Sequence, residues 1–310
     1  PEVVAEARRF LGLPEATPRR PRPLGTRRHC AADPDRADIV PEGPPVPSTT
    51  VAAARRLFAA SQPIAGMLAE LYLRRRGITM LAGLEALRFH PRCFYRIDEE
   101  IDDAERPAAA WDGTTENAPP GHRFLPALIA AVTDEAGAIT GVQRTWLDAE
   151  ALRSEAPLGP LLGKAPVPSP RRALGDLVGR GVRFGSVDAS TRSGGVLLAG
   201  EGIETVLSVR CTLPHMPMLA AGSASHLAAI LFPPALRRLY ILRDRDPAGS
   251  AACDRLSERA TSFGIETIVL SPRLRDFNED LRRLGPAALR ALVRRHLAPG
   301  DLSRFLTPAG

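Results

Sequence analysis

The last third of the chain alternates short apolar runs with segments in which apolar residues recur every three or four positions. The apolar runs predict strands, and the helical spacing predicts helices. Because strand and helix alternate with short links, the pattern predicts a parallel sheet with helices on both faces. Strands are expected at 195–200, 216–221, 236–244 and 265–271, and helices at 203–211, 223–231, 248–264 and 276–284.

One of these helices shows its buried face most clearly. In the segment 248–264, Ala252, Leu256, Ala260 and Phe263 recur along one side of the helix. Apolar residues at this spacing form the stripe by which a helix packs on a sheet. All four side chains are therefore expected in the core.

The middle of the chain follows a different period. The runs ALIAAVTD and AITGVQRTWLD are typical of strands, and the residues 135–137 (Glu-Ala-Gly) between them predict a hairpin. Upstream, 51–63 and 64–78 have helical spacing, with Pro63 separating two helices and Gly77 suited to end the second.

Proline and arginine dominate the N-terminal segment. Nine prolines lie between Pro14 and Pro47, among several arginines. Such a segment cannot sustain a helix or a sheet and is expected to be extended and mobile. It is interpreted either as a basic arm that contacts nucleic acid or as a plain linker.

The fold class predicted from these patterns is α/β, with five parts along the chain. They are a Pro/Arg-rich flexible segment at 1–48, a mostly helical region at 49–120, a small basic α+β subdomain at 121–192, the parallel-sheet domain at 193–290, and a C-terminal tail at 291–310.

The net charge of the chain bears on the kind of partner that it would bind. The chain carries 41 basic and 35 acidic residues, a net charge of +6, and Lys164 is its single lysine. Arginine binds phosphate through a planar fork, so the bias suits a polyanion, although a GC-rich genome would produce the same bias. No apolar run reaches the length of a membrane helix, and the opening PEVVAEARRF has no signal-peptide pattern. A cytoplasmic protein with no membrane partner is expected.

The four cysteines give no indication of a disulfide framework or a zinc site. They are far apart and form no CxxC motif. Zinc held by His29, Cys30, His90 and Cys93 is disfavoured, because adjacent ligands rarely both reach one tetrahedral ion. The segment LLGKAP lacks the spacing and the hydroxyl residue of a phosphate-binding P-loop, so no ATP-driven motor is expected.

Acidic residues follow three of the predicted strands. Glu201 follows the first, Asp244 and Asp246 follow the third, and Asp276 and Asp280 follow the fourth. Since the carboxyl ends of parallel strands meet at one edge, these acids are expected to gather there and bind Mg²⁺, with Mn²⁺ as the alternative. Two such ions would support phosphoryl transfer. The alternative interpretation makes each acid a helix cap or a turn residue.

At these residues the sequence resembles a known family. LLAGEGIETVLSV is similar to the first toprim motif, YILRDRDPAGSAA to the second, and DFNED to the terminal acidic segment of plasmid and phage versions. The resemblance covers about 193–285. It implies a toprim fold in which Glu201, Asp244 and Asp246 are catalytic and bind metal, with Asp276 and Asp280 completing the second metal site.

The segment before it resembles bacterial (DnaG-type) primases. FLPALIAAVTDEAGAITGVQRTWLD has Phe124, Pro126, Gly137, Gly141 and Arg144 at the positions expected for the small basic subdomain that precedes toprim. The region of about 50–290 also resembles toprim proteins of plasmids, prophages and integrative elements. The sequence has no N-terminal zinc ribbon and no helicase domain, so a separate replicative helicase is the partner implied.

This resemblance implies a primase-like nucleotidyltransferase that makes RNA primers on single-stranded DNA. Template would contact Arg123 and Arg144, and nucleoside triphosphates would contact Lys164, Arg243 and Arg245. The alternatives are a toprim nuclease and a catalytically silent nucleic-acid-binding protein. A topoisomerase is disfavoured, because it needs a transferable tyrosine and the three tyrosines are Tyr72, Tyr95 and Tyr240, the last in a predicted strand.

Overall fold

The computed structural model describes residues 49–96, 122–187 and 195–306. The predictions for the Pro/Arg-rich segment 1–48 and for the boundary at 119–121 therefore lie outside the described residues. Among the described residues, no helix is long and apolar enough to cross a membrane.

An antiparallel sheet forms the first half of the described chain. Its strands are β1 (Gln62–Pro63), β2 (Leu87–Arg96), β3 (His122–Thr133), β4 (Ile139–Trp146) and β5 (Arg171–Gly175), paired in that order. Three helices accompany them: α1 (Thr49–Ala59), α2 (Leu68–Arg75) and α3 (Ala149–Arg153). One face of the sheet packs against α1, where Phe58 contacts a core that includes Tyr95 and Trp146.

The predicted hairpin is confirmed as β3 and β4. The strands pair antiparallel, and the backbone N–H of Ala138 donates to Oδ1 of Asp134 across the turn at 2.9 Å. Gly137 has φ +81°, a conformation that favours glycine and explains its place in the turn.

A second sheet of five strands carries the parallel part of the fold. The strands are β6 (Val182–Phe184), β7 (Val196–Gly200), β8 (Met218–Ala220), β9 (Arg238–Leu242) and β10 (Glu266–Leu270), and their spatial order is β10-β9-β7-β8-β6. All neighbouring pairs are parallel except β6 with β8. The predicted α/β fold with a parallel sheet is thus confirmed.

Helices cover both faces of this sheet, as the alternation predicted. They are α4 (Ile203–Arg210), α5 (Ala224–Ala229), α6 (Pro247–Ser262), α7 (Phe277–His296) and α8 (Pro299–Phe305). Strand β7 is buried along its whole length. Its Leu198 joins the core that contains α4 and α7, whereas Leu197 joins the core beneath α5 and α6. Burying such a leucine contributes about 1.5–3 kcal/mol, so this central strand anchors both layers.

The region at 49–120 was predicted to be mostly helical, and its described part contains the helices α1 and α2 but also strand structure. Residues 87–96 form the ten-residue strand β2, which pairs along β3. Pro91 obscured this strand in the sequence. It lies at a register shift between His90 and Cys93, where the ladder is interrupted and the missing N–H costs no pairing.

Two smaller expectations also need correction. The segment 291–310 is not a tail in its described part, because α7 continues to His296, α8 follows, and Val293 and Phe305 are buried. Phe263 is 71% exposed, since α6 ends one residue before it, whereas Ala252, Leu256 and Ala260 are buried as expected.

Candidate active site

The strand order brings the acid-bearing loops together. Strand β9 lies between β7 and β10, and all three run in the same direction. Glu201 directly follows β7, Asp244 and Asp246 follow β9, and Asp276 follows β10 at the start of α7. The carboxyl ends of the three strands therefore carry these acids to one edge of the sheet.

Two of the acids also begin helices. Oδ1 of Asp246 accepts the backbone N–H of Gly249 at 2.7 Å, and Oδ1 of Asp276 accepts the N–H of Glu279 at 2.7 Å. The helix-cap interpretation of these residues is therefore correct, and it coexists with their place in the cluster. A Cβ at Gly249 would lie 2.8 Å from the carbonyl oxygen of Asp244, so only glycine permits this close approach.

Crowding of the carboxylates perturbs their ionisation. Burial, followed by the charges of Glu201, Asp276 and Asp246, raises the pKa of Asp244 to about 7. Burial and then the charge of Asp246 raise the pKa of Glu201. Like charges held together in this way favour a bound cation.

The donor set fits a hard divalent cation. Oδ1 of Asp244 is buried and has no hydrogen-bond partner. Every donor in the cluster is a carboxylate oxygen, which is the ligand type that Mg²⁺ prefers. As the side chains stand, no three acidic, histidine or cysteine residues of the described ranges converge to form a preassembled metal cage.

Acidic and basic side chains together line a cleft of about 290 Å³. Lys164 lines this cleft, as do three arginines. Burial and the nearby charge of Arg171 lower the pKa of Lys164. The residues with charged side chains that line the cleft are Glu201, Glu204, Asp244, Asp246, Asp276, Arg76, Lys164, Arg171 and Arg275.

The buried carboxylate of Glu204 holds Arg171 in place. Oε1 of Glu204 accepts a hydrogen bond from the hydroxyl of Tyr72 at 2.5 Å and pairs with the guanidinium of Arg171 at 2.6 Å. Burial alone would raise the pKa of Glu204, but the charges of Arg171 and Arg76 more than offset it, so the pKa lies below its ordinary value. Glu204 is therefore an ionised anchor for Arg171.

Asp280 does not line the cleft with the other acids. Its two carboxylate oxygens accept the backbone N–H groups of Arg273 and Leu274, each at 2.7 Å. The side chain is buried and holds the loop that precedes α7. The structure thus gives Asp280 a loop-supporting contact in place of the metal contact expected from the sequence.

Among the basic residues predicted to bind nucleic acid or nucleotide, Lys164 lines the cleft and the other four do not. Arg144 donates to the carbonyl of Ala173 at 3.1 Å and stacks on the ring of Trp146. Arg245 donates to the carbonyl of Arg273 at 2.7 Å. Arg123 is exposed and Arg243 half-buried, both outside the cleft.

Sequence reasoning missed four residues of the cleft: Arg76, Arg171, Arg275 and Asn278. Arg76 directly follows α2 and ends a run of three arginines, 74–76. Arg171 belongs to β5, a strand that was not predicted. Their approach to the acids depends on tertiary contacts between segments far apart in the chain, and no local pattern indicates it.

Comparison with known proteins gives two family matches. The toprim domain matches residues 196–287, and a domain of unknown function (DUF7146) matches residues 48–184. No curated protein matches the chain.

Several solved structures are similar to the described fold. The RNA polymerase domain of Mycobacterium tuberculosis primase DnaG is 18% identical, with a TM-score of 0.48, covering 79% of this chain and 82% of that chain. A DNA primase domain from Pseudomonas aeruginosa is 16% identical, with a TM-score of 0.45, covering 80% and 78%.

The Aquifex aeolicus primase structure, which comprises zinc-binding and RNA polymerase domains, is 16% identical, with a TM-score of 0.49 and 79% of this chain covered. This chain spans 60% of the length of that structure. The family match over 196–287 coincides with the parallel sheet and with the acids at the ends of β7, β9 and β10. Over these residues the chain matches the toprim domain.

Proposed function

We propose that this protein is a primase-like nucleotidyltransferase that synthesises RNA primers on single-stranded DNA. The observation that carries the proposal is that carboxylates and cations line the same cleft. Glu201, Asp244 and Asp246 line it together with Lys164 and Arg275. A metal-bound nucleoside triphosphate needs both, because its metal seeks carboxylates and its phosphates seek cations.

Mg²⁺ would be held by Glu201, Asp244, Asp246 and Asp276. Mn²⁺ has the same preference for oxygen ligands and is the alternative. When bound, the metal supplies Lewis-acid stabilisation of the charge that develops on the transferred phosphoryl group. Asp280 is left out of this set, since both of its oxygens hold backbone amides.

The cationic side chains would bind and orient the triphosphate. Arg171 is fixed by Glu204 and is therefore positioned before substrate arrives. Lys164 lies next to it, half-buried, where its charge interacts strongly with an anion. Holding the α-phosphate in line with an attacking hydroxyl is the main contribution that positioning makes to phosphoryl transfer.

Glu201 would assist as a metal ligand or as the acceptor of the proton from the primer 3′-hydroxyl. The hydroxyl oxygen forms the new bond to the α-phosphate, and pyrophosphate leaves with the bonding electron pair. Template DNA would lie along the antiparallel sheet near Arg123. A separate helicase in the cytoplasm would provide single-stranded template.

A nuclease is the principal alternative, because it would use the same acids on a phosphodiester. Hydrolysis requires the metal ligands and a water molecule, and it does not require cations for a triphosphate. The presence of Lys164, Arg171 and Arg275 in the same cleft as the acids therefore favours nucleotide transfer.

The test is a template-dependent synthesis assay. Purified protein, single-stranded DNA of mixed sequence, labelled ribonucleotides and Mg²⁺ or Mn²⁺ should yield oligoribonucleotides. Asp246→Asn should abolish the product, whereas Asp254→Asn, at an exposed position on α6 away from the cleft, should leave it unchanged. Cleavage of the DNA without RNA synthesis would replace the proposal with the nuclease. DNA binding with neither reaction would indicate a silent binding protein.

A further inference from the structure

A second cavity of about 380 Å³ adjoins the acid-lined cleft at the start of α7. The two cavities share Arg76, Arg275, Asp276 and Asn278, but Glu201, Asp244 and Asp246 do not line the second one. It is therefore continuous with the candidate active site yet does not include its central acids. Nothing in the proposed reaction so far uses it.

Cations outnumber anions in this second cavity. Four arginines line it, at positions 76, 275, 282 and 283, against the two acids Asp276 and Glu279. Both acids already have partners. Asp276 accepts the N–H of Glu279 at 2.7 Å, and Glu279 pairs with Arg283 at 3.1 Å. The remaining guanidinium charge is thus not neutralised by the acids that line the cavity.

Arg282 is an exposed side chain with like charges nearby. Partial burial lowers its pKa, the charges of Arg76 and Arg283 lower it further, and those of Asp276 and Glu279 raise it. The guanidinium is thus held beside two others of the same sign. An anion in the cavity would relieve this repulsion.

Two nearly buried polar atoms in the cavity wall lack hydrogen-bond partners. Arg76 is 6% exposed, and its Nε has no partner; Asn278 is 1% exposed, and its Oδ1 has none. The Nδ2 group of Asn278 donates to the carbonyl of Arg76 and to Oγ of Ser208, each at 3.0 Å, which fixes the amide. A buried donor without an acceptor costs about 1–3 kcal/mol, so a ligand oxygen at this position would restore stability.

We propose that this cavity is an oligophosphate subsite that adjoins the metal cluster at Asp276. Arg76, Arg275 and Arg282 would bind phosphate oxygens through their guanidinium N–H groups. The inference rests on the proposed nucleotidyl transfer and deepens it. Two sources share this chemistry, namely the pyrophosphate that the reaction releases and the phosphate tail of a second nucleoside triphosphate. In the second case, the unpartnered Oδ1 of Asn278 would accept a hydrogen bond from a ribose hydroxyl.

Binding without metal is the property that separates this subsite from the acid-lined cleft. Arginine guanidinium groups bind phosphate directly, whereas the carboxylates that line the cleft repel phosphate unless a cation lies between them. Isothermal titration of the full chain with pyrophosphate, and in parallel with ATP, should therefore detect one binding site in buffer containing EDTA and 150 mM salt.

The test variant is Arg282→Gln, and the control is Arg290→Gln, farther along α7 and outside the cavity. Loss of one charge-assisted contact should weaken binding about tenfold, which corresponds to about 1.4 kcal/mol. The control should bind as the wild type does. Equal affinities for pyrophosphate and ATP would identify free pyrophosphate as the source, and tighter binding of ATP would identify a nucleotide.

Absence of metal-free binding by either compound would overturn the inference, and so would unchanged affinity in Arg282→Gln. Asp244→Asn keeps these outcomes distinct from a failure of the proposed function. This variant lacks a central acid of the cleft and should lose primer synthesis, yet it should bind pyrophosphate in EDTA with wild-type affinity. Loss of synthesis with retained binding assigns the two cavities to different tasks.

Discussion

Replacing Asp244 with asparagine should stabilise the metal-free protein above neutral pH. The asparagine side chain has nearly the same shape but carries no charge, so it removes one of the carboxylates that repel each other at the sheet edge. Ordinarily, removal of a half-buried polar contact lowers stability. Here the sign is reversed, because Oδ1 of Asp244 has no hydrogen-bond partner to lose.

The magnitude follows from the ionisation of this group. The pKa of Asp244 rises from an ordinary value of 3.8 to about 7. Each pKa unit corresponds to about 1.4 kcal/mol, so the ionised form is disfavoured by at most about 4 kcal/mol. The cleft is open to water, and about 2 kcal/mol is the expected gain for Asp244→Asn at pH 8.

The dependence on pH has a definite sign. Between about pH 4 and pH 7 the folded protein keeps a proton on Asp244 that the unfolded chain has released. The stability that this proton contributes is fully present below about pH 4 and is lost progressively as the pH rises to about 7. Wild type and variant should therefore be nearly equal below about pH 4, should diverge as the pH rises, and should differ most at pH 8.

Thermal unfolding in EDTA measures the effect directly. A gain of about 2 kcal/mol should raise the Tm of Asp244→Asn by about 4–8 °C above wild type at pH 8. Asp254→Asn, an exposed change of the same chemistry, should show no such difference. If the Tm difference between Asp244→Asn and wild type is the same at pH 5 and pH 8, the electrostatic account of the acid cluster is wrong.

Four further outcomes are expected. Glu204→Ala should cost about 3 kcal/mol in chemical denaturation, because it leaves Arg171 without its buried partner; a cost below 0.5 kcal/mol would contradict this. Asp280→Ala should cost about 2–3 kcal/mol through two lost backbone acceptors, yet titration calorimetry should find Mg²⁺ affinity within about twofold of wild type; a complete loss of metal binding would restore Asp280 to the metal site. Arg144→Ala should lower the free energy of unfolding by about 1 kcal/mol, since the side chain stacks on Trp146. Arg123→Ala should weaken single-stranded DNA binding and reduce the dependence of that binding on salt by about one phosphate contact. The reverse pattern in filter binding would show that Arg144 faces the template. Nucleoside triphosphate with Mg²⁺ at 100 times its Kd should add about 2.7 kcal/mol in thermal unfolding, and Asp246→Asn should remove the metal-dependent part of that gain. Metal-dependent protection that survives the substitution would place the metal-bound nucleotide elsewhere.

Local signals were sufficient to predict the parallel sheet. Each of its strands, apart from the short edge strand β6, is an apolar run. Each run is followed by a segment whose apolar residues have helical spacing, so the spacing of apolar residues alone indicates the type and order of the elements. The acids at 201, 244, 246 and 276 were predictable for the same reason, because the end of a strand fixes where the following residue lies.

The remaining errors have three separate physical causes. Asp280 follows β10 as the other acids follow their strands, but the turn before α7 has unpaired amides, and the closest carboxylate satisfies them. The strand β2 was missed because its proline lies at a bulge. Arg171 and Tyr72 reach Glu204 from 33 and 132 residues away, a separation that no periodic pattern encodes.

Strand β6 has a consequence for dissecting this protein. Residues 182–184 lie within the segment matched by DUF7146, yet they pair with β8 and form the outer strand of the toprim sheet. A fragment limited to 196–287 would leave the backbone of Met218–Ala220 unpaired on that side, and an open apolar strand of this kind recruits strands from other molecules. Such a fragment should aggregate, whereas one that begins before Gly181 keeps its protective strand. The gap between the two family matches, from residue 184 to residue 196, is therefore not a place at which the protein can be divided into stable fragments.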